Sequence, residues 1–291
     1  MKVFAQWVLG RRYRLILVAI AAAPILPIVT MALMTMETMR RGGLQGVYSA
    51  AAGIGGVLLL SMTASTDINS MVVLATATFG AGVALGMMVR WANSLVLAFQ
   101  GSLLLCVVAV AVALALWPDP GSLMGAAIDE FVEMLRGNSA TEEQIAVIRG
   151  WTGLLFGLFG AFAFVQLTAA LLLGYWLNSL DGAEGSFGRE FRALKLGRVL
   201  GIPATLLMAS YLVLDVALVQ NLFLLVLLGF WFQGLAVTHA WAKVKRWHPA
   251  VLGGAYLLLV TPLTGLVILA MGSVGLVDNW FDLRAPLRAV A

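Results

Sequence analysis

Side chains able to do chemistry are sparse in this chain, so where each one stands matters. Asp215 reads as the one acid inside a long apolar stretch. A lone carboxylate is costly in hydrocarbon, and such residues face a cavity or a partner by default. Gln166 and Gln233, with Gln100, place carboxamides inside other apolar runs, where they can line a ligand site or hydrogen-bond between helices. Asp215, Gln166 and Gln233 are therefore the candidate ligand-binding residues. The competing roles are packing for the glutamines and, for Asp215, a place at the outer interface beside Gln220-Asn221.

Near the C-terminus stands a second group, Asp278, Trp280, Asp282 and Arg284. On a continued helix Asp278 and Asp282 share one face and Trp280 and Arg284 another. Two acids with no nucleophile or metal ligand beside them have no evident reaction to perform. The run is expected to be a structural lock at the membrane interface, its carboxylates hydrogen-bonded to backbone or arginine near helix ends.

Other signatures are missing. The chain has no G-x-x-x-x-G-K-[ST] phosphate loop, no H-E-x-x-H zinc helix and no G-x-S-x-G elbow, and Gly272-Ser273-Val274-Gly275 has the wrong spacing for the last. His239 and His248 lack the clustered acids of a metal site. Cys106 is the single cysteine, which excludes disulfides within the chain. No catalytic residue, metal or cofactor is expected. His239, followed by Trp241, Lys243, Lys245 and Arg246, marks a cytoplasmic helix end, with a pH switch or ligand role as the alternative.

The elements that carry these residues are set by composition. The 291 residues are 62% hydrophobic and 11% charged, with a mean hydropathy of +0.98, values that suit lipid rather than water. The net charge of +4 lies in short clusters between apolar runs, a membrane-topology pattern and not a nucleic-acid surface. The lipid bilayer is the first partner.

Uncharged windows long enough to span cover residues 15–36, 42–66, 68–89, 91–118, 150–180, 199–214 running on past Asp215 to 242, and 247–277. The sixth must hold two helices, with the break expected near Gln220-Asn221. In the first, Pro24 and Pro27 remove helix donors and break the segment. The start of the chain is like a signal peptide, with Arg11, Arg12 and Arg14 ahead of Ala21-Ala22-Ala23, but the apolar run continues to Met36 and is read as retained. If the first segment enters the membrane and returns, only four of the 18 basic residues lie outside, which satisfies the positive-inside rule. The fold class is therefore all-α: a polytopic transmembrane helical bundle of about seven spanning helices plus a re-entrant or broken first segment.

Residues 1–291 read as one integral membrane domain with two long loops. Residues 119–149 form an acidic, extracytoplasmic, amphipathic loop. In it Met124, Ile128, Phe131 and Leu135 follow helical spacing, Gly137-Asn138 ends the helix, and Thr141 with Gln144 makes a capping box. It is a connector at the outer interface or a lid. Residues 178–198 form a basic cytoplasmic loop. Asp181, Gly182 and Gly185 precede Arg189, Arg192, Lys195 and Arg198, a spacing that puts a basic helix face on anionic headgroups or on a partner protein. Gly82-x-x-x-Gly86 and Gly153-x-x-x-Gly157 point to close helix packing.

The C-terminal third resembles the YybS-like predicted bacterial membrane proteins. The residues that carry the likeness are Gln233-Gly234-Leu235-Ala236-Val237-Thr238-His239-Ala240-Trp241 and the G-x-x-D-x-W-x-D-x-R run from Gly275 to Arg284. Such proteins are similar in helical organisation to the S components of energy-coupling-factor transporters, and that likeness implies a first helix that docks on a coupling subunit through an Ala-x-x-x-Ala pair, matched by Ala19 and Ala23. This sequence has more membrane segments than the usual S component. The resemblance implies a multi-pass protein of the bacterial cytoplasmic (inner) membrane that binds or transports a small molecule or lipid from the outer side. The alternative is a membrane scaffold that binds partner proteins through its basic loop and C-terminal tail.

Overall fold

The computed structural model describes residues 7, 8, 10–63, 67–180 and 186–288. Asp181, Gly182 and Gly185 of the basic loop lie outside the described residues. The described chain is all-α. In order, the helices are α1 (Arg12–Ala22), α2 (Pro27–Arg41), α3 (Gly43–Thr63), α4 (Ile68–Ala92), α5 (Leu95–Leu116), α6 (Pro120–Leu123), α7 (Gly125–Gly137), α8 (Glu142–Gly150), α9 (Leu155–Ser179), α10 (Ser186–Arg192), α11 (Gly197–Tyr211), α12 (Ala217–Val244), α13 (Pro249–Leu258), α14 (Thr264–Phe281) and α15 (Ala285–Arg288). Six helical stretches are long and apolar enough to cross a membrane: Gly43–Met62, Ile68–Ala92, Leu95–Leu116, Glu142–Ser179, Ala217–Val244 and Thr264–Phe281. The broken pair α10 and α11 makes up to a seventh. The protein is a polytopic membrane bundle.

The first segment breaks where its prolines stand. α1 ends at Ala22 and α2 starts on Pro27, a first-turn position at which the missing N–H costs nothing. At 11 and 15 residues the two helices reach roughly 16 and 22 Å, short of a hydrocarbon core of about 30 Å. They form a returning hairpin, because Arg12 at the start of α1 and Arg41 at the end of α2 both reach the Glu37 carboxylate, at 3.6 and 3.2 Å.

Three boundaries differ from the sequence expectation. The sixth window breaks at residues 212–216 and not at Gln220-Asn221. Asn221 is instead fully buried in α12, because its amide is satisfied by helix backbone: it accepts from Gly157 N at 2.6 Å and donates to Gly153 O and Ala217 O. The last window is two helices, separated at residues 259–263 around Pro262. The basic face read over residues 189–198 is interrupted after Arg192, because Leu194 and Leu196 turn into the interior.

The chain forms two compact units. Unit 1 holds Met1–Ser102 and Val165–Lys195. Its core joins Leu15, Ala19, Ala23, Met34, Met36 and Phe79. Gly82 and Gly86 let α4 lie directly on α2: a Cβ there would stand 2.5 Å from Met31 O and 2.7 Å from Thr35 O. The expected close packing at this glycine pair is thus present. Ala19 and Ala23 are fully buried inside the unit, where Ala19 O accepts from Thr30 Oγ1, so this pair offers no docking face.

Unit 2 holds Leu103–Phe164 and Leu196–Ala291. Here α12 and α14 pack backbone to backbone. A Cβ on Gly234 would collide with Met271 O, and one on Gly275 with Phe230 O. Gly157 lies against the Asn221 backbone, while Gly153 has open space beside it. The acidic loop forms α7 and α8, and Thr141 and Gln144 make the capping box. Val132 and Ile145 are buried in it, and Arg136 bridges Glu133 and Glu142 while Arg149 pairs with Asp129.

Candidate functional site

The buried polar centre of unit 2 is built at the start of α11, the middle of α12 and the end of α14. Before α11 the chain leaves helical geometry, and Gly197 takes φ +71°, a left-handed conformation that glycine adopts without a Cβ penalty. The N–H of Leu196 has no helical partner there and donates to Gln233 Oε1 at 2.9 Å. Gln233 is fully buried, 16 residues into the 28-residue α12, so it stands roughly 24 Å from one end of that helix and roughly 16 Å from the other. Its Nε2 donates to Asp278 Oδ2 at 2.7 Å.

Asp278 is fully buried in the last turn of α14. The helix stops three residues later because Asp282 adopts φ +48° and donates its N–H to Asp278 O. This left-handed cap turns the chain back, and Arg284 returns to form a fork on the Asp278 carboxylate, Nη2 to Oδ2 at 2.7 Å and Nε to Oδ1 at 3.2 Å. Asp278 and Asp282 do not share a helix face as expected, since Asp282 is the cap itself. Asp278 and Arg284 are buried, while Trp280 and Phe281 between them are exposed.

The same turn ties α14 to α11. Asn279 Nδ2 donates to Gly197 O at 3.2 Å and Trp280 Nε1 to Thr205 Oγ1 at 3.1 Å. Gly201 makes room for Asn279, whose Nδ2 a Cβ there would strike. The Asn279 Oδ1 atom is buried and has no hydrogen-bond partner among the described residues.

Electrostatics explains why these residues stay together. Each charge of the Asp278–Arg284 pair compensates the other in a low-dielectric setting, and removing either leaves an uncompensated buried ion. The carboxylate accepts from three N–H groups, two of Arg284 and one of Gln233, so a continuous relay runs from Leu196 N to Arg284. It can position helices and exchange a partner for a competing polar group.

One turn along α12 lies a cavity of about 10 Å³, room for about one water. Leu235, Thr238 and Met271 line it, and His239 and Tyr256 meet at its edge, Nε2 to hydroxyl at 3.2 Å. His239 thus has a specific aromatic partner, besides its place near the charged end of α12.

The other sequence candidates stand apart. Asp215 is exposed in the 212–216 connection and accepts from Gln220 Nε2 at 2.6 Å. Gln166 is half-buried on α9 in unit 1. Gln100, also in unit 1, donates to Lys195 O at 2.8 Å and so satisfies backbone beyond the end of α10. Of the proposed ligand residues, only Gln233 joins the buried centre, and it does so with two members of the C-terminal run.

Sequence reasoning missed Glu37. It sits one residue beyond the first apolar window, yet only 3% of its side chain is exposed. Ser49 Oγ donates to it at 3.4 Å alongside the Arg12 and Arg41 contacts. The available signal was its i,i+4 spacing to Arg41 on one helix.

No family model, curated protein or solved structure matches the chain. Among the described residues, no three of His, Cys, Asp or Glu are grouped so as to hold a metal ion.

Proposed function

We propose that this chain is a non-enzymatic, multi-pass protein of a bacterial cytoplasmic membrane that binds a small molecule or lipid within its helical bundle, after the manner of an S component. One observation carries the reading: a buried Asp278–Arg284 pair, relayed through Gln233, is set beside the interrupted start of α11. Charged groups and unwound helix segments within apolar spans are expensive, and in membrane proteins they go with ligand and ion sites. A ligand bearing an amide, carboxylate or cationic group competes for one arm of the relay, while the apolar walls of α12 and α14 take its hydrophobic part. Orientation follows the positive-inside rule, with the Arg12 and Arg41 ends of the first hairpin in the cytoplasm. A scaffold working through the C-terminal run would use its exposed Trp280 and Phe281, because Asp278 and Arg284 are buried.

Native mass spectrometry of the full chain in mild detergent tests the reading. A small-molecule or lipid adduct should be retained by the wild type and lost from Gln233→Leu. Stoichiometric partner proteins with no adduct would overturn it in favour of a scaffold.

A further inference from the structure

Unit 1 carries a second polar assembly, at the corner where α1 begins, α2 ends, α3 begins and α4 ends. Arg11 and Arg12 come from the first of these, Arg41 from the second and Arg90 from the fourth. Gly42 makes the turn at φ +94°, and Arg90 lies over it, donating Nη1 to Met39 O at 2.8 Å. Its Nη2 would be 3.8 Å from a Cβ on Gly42. Glu37 is the carboxylate shared by Arg12 and Arg41, and Arg12 also donates to Ser49 Oγ and to the Gln45 side chain and carbonyl. Among the described residues this one buried anion stands against four arginines, so positive charge is in excess there.

Three further features point outward to an anion. The 21-residue α3 starts here, and its first turn carries no acid to offset the positive end of the helix. Arg41 and Arg90 are exposed. Trp91, next to Arg90 in the chain, and Trp7 and Tyr13, close to Arg12 in the chain, have exposed rings, with Arg14 stacked over Trp7 at 4.9 Å. Exposed aromatic side chains of this kind settle at the headgroup level of a bilayer, where phosphates are.

We propose that this corner of unit 1 binds the phosphodiester of an anionic phospholipid of the cytoplasmic leaflet, with Arg41 and Arg90 as the contacting cations, Glu37 holding Arg41 and Arg12 in place, and the aromatic rings fixing the depth. Unlike the ligand relay of unit 2, this site is defined by charge and interfacial depth, and it stands independently of that relay.

The test compares phosphatidylglycerol with phosphatidylcholine of the same acyl chains, bound to the full chain in mild detergent and read by native mass spectrometry. Phosphatidylglycerol should be retained selectively. Each cation near an anionic surface contributes about fivefold, so the Arg41→Gln/Arg90→Gln double variant should lose about thirtyfold in affinity for it. Gln233→Leu should leave this lipid in place, which separates the site from the unit 2 relay. Equal retention of the two lipids by the wild type overturns the proposal, and so does undiminished phosphatidylglycerol binding by the double variant. Inorganic phosphate should fail to displace the lipid; displacement would make the corner a free-anion site and overturn the lipid assignment. The wild-type lipid comparison decides the matter even if the double variant does not fold.

Discussion

Asp278 and Arg284 are six residues apart, yet they meet as a buried ion pair because the left-handed Asp282 reverses the chain between them. The pair joins the last turn of α14 to the segment after it, and Gln233 joins it to α12. Breaking such a pair is costlier than removing it whole.

Asp278→Asn is therefore expected to leave Arg284 buried without its counter-charge and to destabilise the protein by about 3–5 kcal/mol. The double change Asp278→Leu/Arg284→Met should recover most of that loss. Thermal unfolding in detergent, followed by fluorescence-detected gel filtration, measures both. A double variant as unstable as the single one would show that the pair is not the unit of stability. Truncation after Gly275 removes the whole lock and should lower the folded yield in the membrane.

Asp215 should behave differently. Exposed and bonded only locally to Gln220, it is expected to tolerate both Asn and Leu within about 0.5 kcal/mol, since surface substitutions away from special features have small effects. Gln233→Leu, in contrast, removes the acceptor that the Leu196 N–H uses and one of the three donors to the buried Asp278 carboxylate, and should cost about 1–3 kcal/mol. Comparable effects at the two positions would contradict the buried relay.

The hairpin of α1 and α2 makes a topological prediction. In a Cys106→Ala background, single cysteines within residues 119–149 should react with an impermeant external thiol reagent, and cysteines beside Arg41 should not. External labelling near Arg41 would place the two ends of the hairpin on the wrong side.

The α12–α14 contact should be intolerant of a single methyl group. Gly275→Ala and Gly234→Ala each push a Cβ into the opposing backbone and are expected to cost about 1–3 kcal/mol or more. Gly254→Ala, with open space around it, should be neutral or slightly stabilising by helix propensity. Thermal stability of the three variants checks this.

Asp67 caps α4 and offers a pH test. Hydrogen bonds from the Ser70 side chain, then from the Ser70 and Asn69 backbone, hold its carboxyl below the usual value of 3.8. A depressed carboxylate contributes its stability in full above that unfolded value and loses it as pH falls through the lower folded value. Asp67→Asn should therefore remove an acid-dependent component of stability below about pH 4 and leave the shape of the curve at neutral pH unchanged.

Much of the fold was legible in the sequence because helix formation in lipid is a local affair. Every backbone group must be satisfied within its own segment, so run length and charge placement define the spans. Pro24 and Pro27 broke the first segment as expected, and Thr141 with Gln144 capped α8, because these effects act over a single turn. Local cues also erred where a tertiary partner was available. Gln220-Asn221 reads as a polar break until Gly153 and Gly157 supply the partners that let Asn221 stay in α12.

The sequence by itself determined a membrane bundle, a broken first segment and a C-terminal run rich in charge. Only the tertiary structure decided that Gln233 meets Asp278, that Asp278 keeps Arg284, and that Glu37 unites Arg12 with Arg41. Hydropathy and propensity sum along the chain and carry no information about which distant residues meet. Gln233 and Asp278 are 45 positions apart, and their bond exists because Gly234 and Gly275 let two helix backbones touch and set the register at which a carboxamide and a carboxylate coincide.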